Sequence, residues 1–147
     1  MLLSFPMKLE PIGLDHLVLR VRDLKAMAAF YCDVLGCTVD RWREELGLVH
    51  LRVGKDAMID LADAEILKQR RGTDGPAIDG TQPFYPNVEH FALTLAEFDA
   101  DAIRAHLVAH GITAAPTLER YGALGNRLSM YFKDPEGNMV ELRAATS

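Results

Sequence analysis

The chain repeats itself. Leu14-Asp15-His16-Leu17-Val18-Leu19 near the start and Val88-Glu89-His90-Phe91-Ala92-Leu93 past the middle both alternate as strands do, with a histidine in each opening. Each is followed by a helical pattern and then by further strand-like segments. The halves also close alike, because Met58-Ile59-Asp60-Leu61 is mirrored by Met139-Val140-Glu141-Leu142. Such a repeat limits the fold strongly. A single small module leaves one sheet face uncovered, so two modules must share a core.

Reading along the first half, residues 14–21 form a strand with Leu14, His16, Val18 and Arg20 on one face. Asp23 caps a helix over 24–35, whose Leu24, Met27, Ala28, Tyr31 and Leu35 recur at helical spacing and whose stop is Gly36. Strands follow at 38–43, 47–53 and 57–62, the last two joined by Gly54-Lys55-Asp56. Residues 64–87 change character. A short helix over 64–71 runs into Gly72, Gly75, Pro76, Gly80, Pro83 and Pro86, which read as a linker. The second half then restores the order with a strand at 89–95, a helix at 98–110 and strands at 112–118, 127–132 and 139–143. The expected fold is α+β: two βαβββ modules forming a half-open, mostly antiparallel barrel around a central pocket. One domain covers 12–144, with module one at 12–63, the linker at 64–87 and module two at 88–144.

Composition narrows the partners. A chain of 147 residues with 49% hydrophobic content suits one domain with an ordinary core, and a net charge of −5 argues against nucleic-acid or anionic-membrane partners. Met1-Leu2-Leu3-Ser4-Phe5-Pro6 lacks the charged start and long apolar run of a secretory signal. Cys32 and Cys37 suit neither a disulfide staple nor a CxxC metal knuckle, so they read as reduced thiols of a cytoplasmic protein.

Strand parity gives the central functional expectation. His16, His90, Asp60 and Glu141 occupy corresponding places in the two halves, and each can face the interior. Imidazole and carboxylate ligands suit a divalent metal such as Zn, Ni, Co, Mn or Fe(II), and no thiolate selects a softer one. A set of two histidines with one or two carboxylates leaves coordination positions open for a substrate. The single histidine at a strand start is more often structural. Four ligand-type residues at equivalent positions change that reading.

These residues resemble the vicinal oxygen chelate superfamily, which groups glyoxalase I, extradiol dioxygenases, fosfomycin-resistance proteins and bleomycin-resistance proteins. The resemblance rests on Asp15-His16-Leu17-Val18-Leu19-Arg20-Val21-Arg22-Asp23-Leu24, Phe30-Tyr31-Cys32-Asp33-Val34-Leu35-Gly36, Glu89-His90 and the turn Asp134-Pro135-Glu136-Gly137-Asn138 with Met139-Val140-Glu141 after it. It implies paired βαβββ modules around a metal held by His16, His90 and Glu141, with Asp60 added in the glyoxalase branch. It also implies a small-molecule substrate, an enzyme using the metal to chelate neighbouring oxygens, and a homodimer. Glu141, or Asp60 beside it, is the candidate base for a glyoxalase-like lyase or isomerase.

Two alternatives stand beside that reading. An extradiol-dioxygenase-like oxidoreductase fits Tyr131 through Glu141, yet no histidine occurs in Gly122-Ala123-Leu124-Gly125, where that branch expects one. A drug- or metabolite-binding protein of the bleomycin-resistance type needs no metal at all. Fosfomycin-type transferases carry Thr where Val18 stands, and a basic segment beyond the six residues that follow Glu141. Whether the modules pair within one chain or across two is left open.

Other residues admit simpler readings. His50 suits a strand edge, His106 and His110 share an outer helix face, Arg20 and Arg143 suit either an anionic substrate or surface ion pairs, and Trp42, Phe84 and Tyr85 can wall a cavity. Residues 122–126 are expected to form a loop, with a lid as its hypothetical role.

Overall fold

The computed structural model describes residues 10, 12–71 and 88–147. Phe84, Tyr85, the Gly- and Pro-rich part of the linker and the first nine residues lie outside them. Module one runs β1 (His16–Val21), α1 (Leu24–Ala29), a π-helical turn (Phe30–Val34), β2 (Thr38–Arg43), β3 (Leu48–Val53) and β4 (Ala57–Asp63). Helix α2 (Ala64–Arg71) follows. Module two runs β5 (Phe91–Leu95), α3 (Ala100–Ala109), β6 (Leu118–Gly122), β7 (Gly125–Lys133) and β8 (Met139–Ala144).

The repeat survives into topology. The first sheet is ordered β1-β4-β3-β2 and the second β5-β8-β7-β6. In each, the first strand pairs parallel with the last, and the other pairs are antiparallel. The expected βαβββ modules are present. The two mixed sheets are not closed into a barrel: no hydrogen-bonded pairing joins them.

Local signals explain the elements. The Asp23 side chain accepts from the Ala26 amide at 3.0 Å and starts α1. The pattern expected as one helix over 24–35 divides into α1 and the wider π turn, which carries the buried Phe30 and Tyr31. The expected strand at 112–118 is displaced. Residues 112–117 are irregular, and Pro116, which has no amide hydrogen, precedes a strand that begins only at Leu118. The expected loop at 122–126 is instead a tight hairpin. Gly122 pairs with Gly125, whose φ is 86°, and only Ala123 and Leu124 form the turn.

One core serves both modules. Met27, Tyr31, Val49, Leu51 and Leu61 from the first and Leu107, Met130 and Val140 from the second are almost fully buried in a continuous cluster. The modules are also stitched through polar groups. The Tyr31 hydroxyl donates to Asp134 at 2.9 Å, and Asp134 accepts from the amides of Glu136 and Asn138 and the Asn138 side chain. Glu136 in turn accepts from the amides of Arg22 at 2.8 Å and Asp23 at 3.0 Å. The DPEGN turn therefore fastens module two to the β1–α1 corner of module one. Burial, and then the charge of Asp134, hold the Tyr31 phenol well above its ordinary pKa, so it remains a donor. No described helix is long and apolar enough to cross a membrane.

Candidate metal centre

Register places each candidate ligand. In module one Asp60 lies opposite Val18 of β1 and His50 of β3. In module two Glu141 lies opposite Ala92 of β5 and Tyr131 of β7. Asp60 and Glu141 are thus equivalent, and Tyr131 stands where His50 stands in the other sheet.

The second sheet holds a compact pair. His90 Nε2 is 3.2 Å from Glu141 Oε2, and the Arg143 guanidinium donates to Glu141 Oε1 at 2.9 Å. Two ligands bound at about 2.1 Å to one metal lie roughly 3.0–3.4 Å apart for angles between octahedral and tetrahedral. The observed spacing falls inside that window. Burial alone would raise the Glu141 pKa, but hydrogen bonds from Ser129 and Arg143, the Arg143 charge and Tyr131 together bring it below the ordinary value. Glu141 is therefore ionised and pinned.

Arg143 is no surface residue. It is 7% exposed and donates to Ser129, to Glu141 and to the carbonyls of Arg120 and Gly125. Its guanidinium occupies the space over Gly122, where an added Cβ would lie 2.6 Å from it. Glycine at 122 makes room for the group that holds Glu141.

The first sheet is arranged differently. His16 opens β1 with its side chain partly exposed, and its pKa is raised by the hydrogen bond to Asp15, with Asp60 adding through space and desolvation opposing. His50 Nδ1 and Asp60 Oδ1 lie 2.9 Å apart, out of line for a hydrogen bond, and each is buried without one. The strand-edge role expected for His50 gives way to this contact with Asp60.

Both histidines share a device. The carboxylate of Asp15 bonds His16 Nδ1, and that of Glu89 bonds His90 Nδ1. A carboxylate on Nδ1 fixes the tautomer that leaves Nε2 free for a metal. The residue types, the orphaned Asp60 oxygen and this repeated support fit a divalent cation.

Within one chain, however, the four candidates fall into two sets on two sheets. Among the described residues no group of three or more His, Cys, Asp or Glu side chains is placed to hold a metal. A cavity of about 340 Å³ lies along the seam of β1 and β5, lined by His16, Leu17, Met58, Phe91, Ala92 and Thr94. A larger one of about 600 Å³, beside Phe30, His110, Phe132 and Asp134, touches none of the four candidates. His106 donates from Nε2 to the Val34 carbonyl at 2.8 Å, a packing role on α3.

Residue-by-residue reading missed Ser129, Tyr131 and Arg143 as the supports of Glu141. The signal was present in parity, since 129 and 131 share the face of the residues they oppose on β8.

Comparison with known proteins agrees with this architecture. Residues 13–142 match the Glyoxalase/Bleomycin resistance protein/Dioxygenase superfamily. The glutathione transferase FosA of Serratia marcescens is 27% identical over 138 residues, covering 91% of this chain and 82% of that protein. An integron cassette protein from the mobile metagenome of V. cholerae superposes with a TM-score of 0.66 at 27% identity, over 97% of this chain and all of its own. The lactoylglutathione lyase of Agrobacterium tumefaciens shares the fold, with a TM-score of 0.59 at 24% identity over 92% of this chain and 95% of its own.

Proposed function

The chain belongs to the glyoxalase, bleomycin-resistance and dioxygenase superfamily, and from that premise we propose that it is a metal-dependent enzyme of the glyoxalase branch. It would act as a lyase or isomerase on a small molecule with neighbouring oxygens. His16, His90, Glu141 and Asp60 hold the metal in this reading. A divalent cation there supplies Lewis-acid stabilisation of charge developing on the substrate oxygens. The observation that carries the proposal is the supported His90–Glu141 pair at 3.2 Å, with its counterpart at His16 and Asp60.

The two carboxylates divide the work. Glu141 has one oxygen on Arg143 and the other facing His90, which suits a ligand and slows its release as a base. Asp60 has an oxygen without a hydrogen bond and a histidine beside it, which suits a group that takes up and returns a proton. Glu141 as the base, the expectation from sequence, requires that it first leave Arg143.

The half-sites meet in a homodimer. Val18 and Leu118, which share the inner faces of the two sheets, are 49% and 41% exposed, and covering one sheet with the other sheet of a second copy brings His16 and Asp60 to His90 and Glu141. Two equivalent sites result.

Complementation tests this arrangement. H16A and H90A, each purified without a histidine tag, should each lose metal on elemental analysis. Unfolding and refolding the two together should restore about a quarter of the wild-type metal, because half the dimers are mixed and each mixed dimer holds one intact site of two. No recovery would place each site within one chain. No metal in the wild type, and no activity on 2-oxoaldehyde thiol adducts with Zn, Ni, Co, Mn or Fe(II), would leave the binding-protein reading. Activity with Fe(II) alone, consuming oxygen, would give the dioxygenase.

A further inference from the structure

The larger cavity, of about 600 Å³, lies where the second module departs from regular strand pairing. After α3 the chain turns at Gly111, whose φ is 77°, and the Ile112 amide donates back to the Leu107 carbonyl at 2.9 Å. The chain then meets β7 through the Ala115 amide, which donates to the Tyr131 carbonyl at 2.8 Å. Pro116 has no amide hydrogen with which to extend that pairing, and β6 starts only at Leu118. A cleft is left between this segment and the β7–β8 turn. Phe30 and Phe132, both buried with ring centroids 6.5 Å apart, give it an apolar base, and Ile112, Pro135 and Met139 extend it.

Both walls are fixed. Arg104 of α3 donates to the Ala114 carbonyl at 3.0 Å, the Ala115 carbonyl at 3.1 Å and the Thr117 hydroxyl at 3.2 Å. On the other wall the Asp134 amide donates to the Asn138 carbonyl at 2.9 Å, which closes the turn. A cavity between hydrogen-bonded walls needs little rearrangement to receive a ligand, and this one falls within the range of roughly 300–1,000 Å³ usual for small-molecule sites.

The polar groups select the ligand by charge. Asp134 is the acid on the wall, and its oxygens are taken by the Tyr31 hydroxyl, the amides of Glu136 and Asn138 and the Asn138 side chain. The histidine and lysine that line the cleft, His110 and Lys133, are both bases and both exposed. Among the described residues neither has a carboxylate within ion-pair distance. An incoming acid therefore meets Lys133 without displacing a partner, whereas an amine meets a cation and a carboxylate already engaged. The two phenylalanines and Met139 favour an aromatic ring beside that acid.

We propose that this cleft is a second small-molecule site and that its ligand is an aromatic carboxylate. The ring lies against Phe30, Phe132 and Met139, and the carboxylate reaches Lys133 and His110. None of the four candidate metal ligands lines the cleft, so the site does not depend on the metal reading.

Calorimetric titration of the whole chain, freed of metal, with 1-naphthylacetate, with neutral 1-naphthylacetamide and with acetate tests the cleft. Naphthylacetate should bind at least about threefold more tightly than the amide, and acetate, which lacks the ring, should give no measurable heat. K133Q should weaken naphthylacetate by about threefold to fivefold, the strength of an exposed ion pair. Ala115→Phe places a ring on the cavity wall and should abolish binding, with Thr113→Phe as the second filling variant should the first fail to fold. K25Q on α1 and H90A at the metal half-site should both bind as the wild type does. Equal affinity for the amide, no binding of naphthylacetate, full binding in a folded filling variant, or loss of binding in H90A overturns the proposal. Binding that emerges only after removal of residues 1–9 gives the cleft to the chain's own N-terminus and overturns it as well.

Discussion

The two sheets share topology and register, yet they treat equivalent carboxylates in opposite ways. Glu141 is buried against Arg143, Ser129 and Tyr131, whereas Asp60 lies beside His50 and has an oxygen with no hydrogen bond. The cause is three substitutions at matched positions. Where module two has Arg143, Ser129 and Tyr131, module one has Ala62, Leu48 and His50. Module two therefore holds its ligand ready, and module one leaves its carboxylate under-satisfied. A repeat can thus keep one backbone and specialise each copy through the residues that touch the ligand.

The largest test of this contrast compares E141A with D60A. Removing Glu141 strands a buried guanidinium and should lower unfolding free energy by about 3–5 kcal/mol. Removing Asp60, whose buried Oδ1 already lacks a hydrogen bond, should cost less than about 1 kcal/mol or raise stability. Chemical denaturation of metal-free protein measures both, and equal losses would erase the distinction between the sheets.

G122A should come next. The added methyl displaces the Arg143 guanidinium from 2.6 Å, for a cost of about 1–3 kcal/mol together with weaker metal retention. A drop in stability with full metal retention would show that Arg143 supports the fold and leaves the ligand alone. Y31F then probes the junction between modules. Losing the 2.9 Å bond to Asp134 should cost about 1–2 kcal/mol without altering metal content.

The smallest effect is on pH dependence. The folded pKa of Glu141 is depressed, so its contribution is fully present above the unfolded value and is lost as pH falls through the folded one, below the ordinary 4.5. Metal-free wild type should lose this increment on acidification below that point, and E141Q should not. Parallel acid-unfolding curves for the two would remove Glu141 from the account.

Legibility in the sequence followed the range of the physics. Strands β2, β3 and β4 and the Asp23 cap were readable because alternation and capping are local. The segment 112–122 was misplaced, since Ile112 and Leu118 supply apolar spacing on either side of Pro116 and the Gly122–Gly125 pairing depends on a neighbouring strand. The π turn at Phe30–Val34 left no mark in helical spacing.

The sequence by itself determined the repeat, the face each candidate ligand takes on its strand, and the carboxylate that precedes each histidine. Those are consequences of period two and of neighbours one residue apart. Only the tertiary structure decided that the two sheets stay separate, that Arg143 turns inward onto Glu141, and that its guanidinium fills the space over Gly122. Parity fixes a side chain's direction within its own sheet. It carries no information about how two rigid sheets are set against each other, which depends on packing summed over the shared core.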